Sequence, residues 1–166
     1  MDYREIVKLF ETTPYDFRWA RKHEWKSAMM MSWKTFMKFE ACDYTEEGVK
    51  AFFEFISDDD IYRAFLNGSY KVMVAVDGER IIGVGTLRNV NILSLLFVDE
   101  EYHHQGVGSI LLELLGSYVR DEEGEKRMFV KAAPYAVEFY KHSGFSAIGN
   151  EIVHDGIRVT PMEKIL

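Results

Sequence analysis

The chain has 166 residues and a formal net charge of −7, with 27 aspartates and glutamates against 20 lysines and arginines. This length is typical of one domain, and an apolar fraction of 48% supplies enough large side chains for one sizeable core. The acidic balance argues against a nucleic acid or a membrane surface as partner. Cys42 is the only cysteine, which excludes an internal disulfide, and the first residues show no secretory pattern. We therefore expect a cytoplasmic protein without membrane-spanning segments.

The first part of the chain is predicted to be mostly helical. Residues 1–13 are interpreted as a leader with one short helix, and residues 14–166 as a single domain. A short strand is predicted at 15–20, followed by an amphipathic helix at 24–40. Helical spacing predicts a buried face of Trp25, Ala28, Met29, Trp33, Phe36 and Met37. The run Met29-Met30-Met31 exceeds one face. Core filling explains it most simply, and a surface for a substrate or for a homodimer is the alternative.

Two shorter helices are predicted next. Thr45 fits an N-cap, with Glu46 and Glu47 in the first turn. This helix is predicted to present Val49, Phe52, Phe53 and Ile56 to the core. The following helix is predicted at 58–66 and ends at Asn67-Gly68, because glycine readily takes the left-handed backbone of a helix end.

The remainder alternates between strands and helices. Strands at 71–76 and 81–87 flank the hairpin signal Asp77-Gly78. The strand at 91–98 is nearly all apolar, which indicates a central position in a sheet. A helix follows to Arg120, then a strand at 128–132, a helix from Pro134 to Gly144, and two strands around His154-Asp155-Gly156. This order predicts an α/β fold with a mixed, mostly antiparallel, twisted sheet and helices on both faces.

The loop from Asp99 to Gly108 carries the clearest functional signal. Gly106 and Gly108 lie where the helix begins, and the first amides of a helix have no partner within it. Glycines let the backbone approach an anion, so the loop can hold a phosphate without a lysine. A Walker A loop would need a lysine beside Ser109, and a Rossmann fingerprint would need a third glycine at Leu111. Neither alternative fits.

Two segments resemble the motifs of the GNAT superfamily of acetyltransferases. Residues 103–108 are similar to the family signature Gln/Arg-x-x-Gly-x-Gly/Ala, with His103 in place of the first residue. Residues 133–145 are similar to the family pattern Asn-x-x-Ala-x-x-x-Tyr-x-x-x-Gly-Phe, with Ala133 where asparagine is common. The two motifs occur in the family's order, and the resemblance extends from about Tyr15 to the end of the chain.

The resemblance implies the GNAT fold and acetyl-CoA as co-substrate. It implies that the pantetheine arm pairs with the backbone of Leu96, Phe97 and Val98. The phosphates would lie on the loop formed by His103, His104, Gln105, Gly106, Val107, Gly108 and Ser109. Tyr140 occupies the position of the family's tyrosine that protonates the departing thiolate. We expect no metal, because adjacent histidines diverge and no third ligand has a recognisable spacing.

The general base and the acceptor are less readily predicted. Some relatives carry a glutamate on the central strand, where this chain has Ile92. Asn91 or Ser94 could hold a water there. By chemistry alone Glu40, Glu151 and His154 are candidates, although each is interpreted as a solvated surface group.

The expected acceptor is a small amine or a peptide amine, bound between the helices of 24–57 and the C-terminal hairpin. An aromatic and acidic set there would suit a cation: Trp33, Phe36, Phe39, Tyr44, Glu40, Asp43 and Glu151. The alternative is that the aromatics are core and the acids face solvent. For the whole protein, the alternative function is a CoA-binding module without catalysis.

Overall fold

The computed structural model describes residues 2–166 and contains one eight-stranded sheet. The helices are α1 Tyr3–Thr12, α2 Trp25–Phe39, α3 Glu46–Ile56, α4 Asp59–Asn67, α5 Val107–Asp121 and α6 Val137–His142. The strands are β1 Asp16–Trp19, β2 Lys71–Asp77, β3 Arg80–Arg88, β4 Ile92–Val98, β5 Arg127–Ala132, β6 Ser146–Ala147, β7 Ile152–His154 and β8 Ile157–Ile165. No helix within these residues is both long and apolar enough to cross a membrane.

The sheet has the order β1-β2-β3-β4-β5-β8-β6, with β7 paired to β8 outside this path. Every pairing is antiparallel except that of β4 with β5. β4 lies in the middle, as its apolar sequence predicts. Leu111 and Leu115 of α5 form the core on one face, and Ala28 and Phe36 of α2 form the core on the other. The predicted fold class is confirmed.

The helix ends predicted at Thr45, Asp58 and Gly68 are present in the structure. Thr45 caps α3 by accepting a hydrogen bond from the Gly48 amide at 3.1 Å, and Asp58 caps α4. Gly68 ends α4 with a left-handed φ of 86°. The β2–β3 turn is centred on Gly78 and Glu79, one residue later than the Asp77-Gly78 signal, because Asp77 already pairs with Arg80.

Two residues that the helical spacing predicts to face the core are exposed. Met37 and Phe53 were predicted to be buried, but they are 45% and 51% exposed. Ser32 and Thr35 of α2 are buried beside the predicted Ala28 and Phe36. Their hydroxyls donate to the carbonyls of Ala28 and Met31 and so need no other partner. The methionine run is split, with Met29 and Met31 in the core and Met30 62% exposed. The two-residue β6 carries no sequence pattern and is formed by pairing with β8.

A β-bulge at Ser94 determines the shape of the sheet. Thr86 pairs with Leu95 and Leu87 pairs with Leu93, so Ser94 has no opposite residue on β3. The Leu95 amide donates to the Thr86 hydroxyl at 2.9 Å. The Tyr70 hydroxyl lies 2.8 Å from that of Thr86 and donates to that of Ser94 at 3.2 Å. This buried hydroxyl cluster satisfies the polar groups that the bulge leaves without ladder partners.

The bulge coincides with the end of pairing between β4 and β5. These strands pair only at Ile92–Phe129 and Leu93–Val130, and from Ser94 onward they diverge. One edge of β4 therefore has no strand beside it over residues 94–98, and a cleft opens between the two strands.

The hairpin of β7 and β8 closes the far side of this region. Its tip contacts the start of α3, where the Thr45 amide donates to the Gly156 carbonyl at 3.1 Å. A Cβ atom on Gly48 would lie only 2.5 Å from the same carbonyl oxygen, so a glycine is needed for this approach. Asp155 and Gly156 form the turn with φ values of 51° and 76°.

Candidate active site

The open edge of β4 lines a cleft of about 610 Å³. The end of α2, the loop after β4, the start of α5 and the segment leading into α6 form its walls. Its lining includes nearly all of the sequence-predicted site residues: Leu96, Phe97, Val98, His103, His104, Gly106, Val107, Gly108, Ser109 and Tyr140. Gln105 is the exception. Its side chain accepts a hydrogen bond from the Tyr15 hydroxyl at 2.6 Å, which ties the loop to the segment before β1.

The loop after β4 presents a row of free amides. Among residues 2–166, no acceptor is bonded to the backbone N–H groups of His104 through Ser109, and the first hydrogen bond of α5 runs from the Ile110 amide to Gly106 at 3.0 Å. Gly106 is the N-cap, and no side chain caps the helix. Six unpaired donors at a helix N-terminus form a site for an anion.

Gly106 and Gly108 differ in how strictly the surrounding structure requires a glycine. Gly106 has a left-handed φ of 79°, and a Cβ atom there would overlap the Leu9 side chain of α1. At Gly108 a Cβ atom would make only ordinary contacts, 3.5 Å from Val98 and 3.6 Å from Phe139. The fold therefore demands glycine at Gly106, whereas it would accept alanine at Gly108.

His103 and His104 have separate environments. The His103 ring nitrogen Nε2 lies 2.8 Å from the Val98 carbonyl oxygen, and the ring packs 5.0 Å from that of Phe39. The His104 ring is nearly perpendicular to that of His103, at 88°. No group of three metal-ligating side chains occurs within the described part of the chain. His103 thus connects the loop to the end of β4.

Tyr140 belongs both to the core and to the cleft. It is 5% exposed, and its ring packs edge-on against Phe139 and Phe145, each 5.3 Å away. Its hydroxyl has no hydrogen bond to any of residues 2–166. Burial, together with the nearby Glu40 and Tyr44, raises the pKa of Tyr140 well above the usual value for a phenol. The hydroxyl therefore stays protonated at neutral pH and is available as a donor.

Glu40 lies at the same end of the cleft, just after α2. Its carboxyl group has no ion pair or hydrogen bond with any described side chain. Burial, and secondarily the charge of Asp43, raises the pKa of Glu40 to about 7. The sequence-based interpretation of Glu40 as a solvated surface group is therefore wrong. Glu40 follows the fully buried Phe36 by four residues, and that spacing on the helix was the signal that could have indicated its position.

The other candidate bases are placed differently. Glu151 forms an ion pair with Arg158 at 3.0 Å, and His154 lies 3.3 Å from the carboxylate of Asp155. The position that carries a glutamate in some relatives is Ile92 here, and it pairs with Phe129 where β4 and β5 still form a ladder. Of the carboxylates considered, Glu40 is the one that lines the cleft.

A second cavity, of about 390 Å³, adjoins the cleft. The two share Glu40, Leu96, Phe97, Ala136 and Tyr140, so both open onto the same pair of titratable side chains. The second cavity extends past Ser94 toward Arg88 and is bounded by α3, β5 and the C-terminal hairpin.

The aromatic and acidic residues predicted to bind the acceptor do not line one common cavity. Only Glu40 and Tyr44 of that set line the second cavity. Phe36 is fully buried and stacks on Phe52 at 4.0 Å, and Trp33 stacks on Phe52 at 6.2 Å. These rings fill the core between α2 and α3, because stacking on one another buries more apolar surface than facing a cavity.

Comparisons with known proteins agree with this architecture. The family model described as acetyltransferase (GNAT) domain matches residues 40–166. Among solved structures, the chain is similar to a GCN5-related N-acetyltransferase from Rhodopseudomonas palustris, with a TM-score of 0.79, 22% identity, and coverage of 93% of this chain and 97% of the other. It is also similar to the PaiA N-acetyltransferase from Thermoplasma acidophilum in complex with coenzyme A, with a TM-score of 0.75, 18% identity, and coverage of 93% and 100%.

A third similar structure is a chimera of the spermidine N-acetyltransferase SpeG from Vibrio cholerae, with a TM-score of 0.65, 17% identity, and coverage of 92% and 96%. No curated protein matches the chain significantly. The family match spans well over half of the chain and includes β4, the loop with its free amides and Tyr140. The chain therefore belongs to the GNAT acetyltransferase domain family and is an acetyl-CoA-dependent acyltransferase.

Proposed function

We propose that the protein transfers the acetyl group of acetyl-CoA to an amine by direct attack in a ternary complex. The observation that carries the proposal is the pair of Glu40 and Tyr140 at the junction of the two cavities. One is a carboxyl group whose pKa is raised to about 7, and the other is a phenol that remains protonated. General acid–base catalysis of acyl transfer needs such a pair.

The cleft has the groups that acetyl-CoA requires. The free amides from His104 to Ser109 would bind its phosphates without a cationic side chain, which suits an acidic chain. The unpaired edge of β4 at Leu96, Phe97 and Val98 would pair with the amides of the pantetheine arm, as an added strand does. Acetyl-CoA supplies an acetyl thioester, and a backbone N–H at this edge would donate to its carbonyl oxygen.

Glu40 acts as the proton acceptor in this proposal. A free amine has a reference pKa of about 10, so at neutral pH its nitrogen is almost entirely protonated and cannot attack. Glu40 has a pKa near the working pH and no competing partner, which are the properties of an effective base. The ammonium group loses one proton to solvent before attack, and Glu40 accepts the second proton from the nitrogen as the new C–N bond forms.

Tyr140 acts as the proton donor. As the C–S bond breaks, its hydroxyl gives a proton to the departing sulfur. The proton gained by Glu40 then replaces the one lost by Tyr140, by way of solvent, and restores both groups. The hydroxyl is not engaged with another described residue, so no existing hydrogen bond has to be broken. Packing against Phe139 and Phe145 keeps the ring in one orientation.

The non-catalytic alternative rested on the missing carboxylate at Ile92 and on the departures at His103 and Ala133. Glu40 weakens the first argument, since it supplies a carboxyl group to the cleft from α2. His103 stabilises the loop through its contact with the Val98 carbonyl oxygen, and the proposed phosphate site consists of backbone amides. Release of CoA with an amine, but not without one, separates an enzyme from a binding module.

Gly108→Glu is expected to abolish binding of acetyl-CoA, because a carboxylate on the first turn of α5 would repel the phosphates. Ligand at 100 times its Kd stabilises a protein by about 2.7 kcal/mol, and the variant should lose the resulting rise in Tm. Gly108→Ala is the matched control and should keep it, since its Cβ atom makes only ordinary contacts. If acetyl-CoA still raised the Tm of folded Gly108→Glu as much as that of the wild type, the proposal that the loop amides bind the phosphates would be contradicted.

Tyr140→Phe is expected to lower kcat by roughly 10²-fold or more, the scale of general acid catalysis, while the Kd for acetyl-CoA stays nearly unchanged. The phenyl ring preserves the packing with Phe139 and Phe145, so the Tm should change little. Single-turnover kinetics and a binding titration give both quantities. Wild-type kcat in the variant would leave Tyr140 with a packing role only.

Glu40 predicts a specific pH dependence. Wild-type kcat/KM should rise as pH increases through about 7, because only ionised Glu40 accepts a proton. In Glu40→Gln this rise should disappear and the rate should fall by roughly 10²- to 10⁴-fold. The exposed Glu47→Gln is the control and should keep the wild-type profile. A profile of Glu40→Gln that still turns near pH 7 would exclude Glu40 as the base.

Stability should show the opposite trend. The pKa of Glu40 is higher in the folded state than its ordinary value of 4.5, so the neutral carboxyl favours folding. That contribution is complete below about pH 4.5 and is lost as pH rises through about 7. Glu40→Gln should therefore unfold like the wild type in acid and at a higher Tm at pH 8, measured by thermal unfolding at both pH values.

A further inference from the structure

The second cavity contains two cations without acidic partners. Arg88 and Lys131 both line it, and neither forms an ion pair or hydrogen bond with another of residues 2–166. The other imidazole and carboxyl groups that line the cavity are those of His154, Asp155 and Glu40. His154 and Asp155 lie together at 3.3 Å, and Glu40 stands at the junction with the cofactor cleft.

Most of the nine arginines of this chain, whose net charge is −7, have a carboxylate partner. Six other arginines form ion pairs with nearby carboxylates: Arg18, Arg63, Arg80, Arg120, Arg127 and Arg158. Two long cationic side chains that line one cavity and lack such partners present a positive potential to whatever enters it. The charge at this end of the cavity is opposite to that of Glu40 at the other end.

The two cations come from different strands. Arg88 ends β3 opposite Ile92, and its guanidinium lies 5.7 Å from the ring of Phe55, which supports it on the α3 side. Lys131 lies on β5 just beyond Val130, the last residue that pairs with β4. Its backbone is therefore where the two strands begin to separate. Both residues are level with positions of β4 that precede the junction at Leu96 and Phe97.

The distance between the positive and the negative end of the cavity can be estimated along β4, which lines it. Arg88 is level with Ile92, and the junction is level with Leu96 and Phe97. At about 3.3 Å per residue, the four or five residues between these levels span roughly 13–16 Å of strand. A ligand that contacts both Arg88 and the junction must therefore be an extended molecule, although the lengths of the side chains shorten the distance that it has to span.

We infer that the acceptor is an extended amine whose far end carries a carboxylate, with Arg88 and Lys131 binding that carboxylate. The inference rests on the proposed function and names the substrate class of the same site. The amine end would lie at Glu40 and Tyr140, and the planar guanidinium of Arg88 would accommodate the carboxylate by paired hydrogen bonds. A polyamine fits less well, because its second ammonium group would face two unpaired cations.

The experiment compares three acceptors of similar length: ε-aminocaproate, hexylamine and hexamethylenediamine. The wild-type protein should show a kcat/KM for ε-aminocaproate at least about tenfold above that for either other amine, mainly through KM. In Arg88→Gln and in Lys131→Gln this preference should shrink toward equality. Arg127→Gln, on β5 but outside the cavity, is the control and should keep the wild-type preference.

A charge-reversal variant distinguishes the loss of carboxylate binding from the loss of folded structure. Arg88→Glu should move the preference toward hexamethylenediamine, which an unfolded or damaged protein could not do. A wild-type preference for the diamine, or equal preferences in Arg88→Gln and Arg127→Gln, would overturn the inference. Absence of CoA release with every amine would instead count against the proposed function.

Discussion

The active-site region depends on one irregularity in the sheet, the bulge at Ser94. A central strand normally has partners on both edges, and two neighbouring parallel strands leave no room between them. Here the extra residue is stabilised by the hydroxyls of Tyr70 and Thr86, and pairing with β5 ends at Leu93. The cofactor cleft, the second cavity and their shared junction all lie in the space that this divergence opens.

The proposed phosphate site on the loop after β4 would allow an acidic protein to bind a polyanionic co-substrate. The positive potential is local and comes from backbone amides at the start of α5, so it needs no excess of lysine or arginine. The glycine at Gly106 is imposed by the left-handed backbone and by the contact with Leu9. Through Leu9, helix α1 therefore packs on the loop at Gly106, where the backbone is left-handed.

Burial also determines the chemistry of the two titratable groups. A carboxyl group in water would be too weak a base, and desolvation by the end of α2 moves the pKa of Glu40 toward neutrality. The same desolvation, with the proximity of Glu40, keeps Tyr140 protonated. The raised pKa of Glu40 costs some stability of the fold at neutral pH.

The sequence predicted those features that depend on nearby residues. The caps at Thr45 and Asp58, the hairpin turns, the central position of β4 and the loop after it follow from turn chemistry and apolar patterning. Met37 and Phe53 were misassigned because spacing alone does not fix how far a helix rotates against its neighbours. Glu40 was undervalued because its desolvation depends on segments far along the chain, and the two-residue β6 and the bulge at Ser94 likewise depend on long-range pairing.

The most direct test is backbone amide hydrogen exchange, read residue by residue by NMR with and without acetyl-CoA. Without ligand, the amides from His104 to Ser109 should exchange rapidly, because they have no acceptor. With saturating acetyl-CoA, these amides and those on the open edge of β4 should become protected, while the exchange of β2 and β3 should change little. Saturable binding that leaves the loop and this edge unprotected would contradict the account.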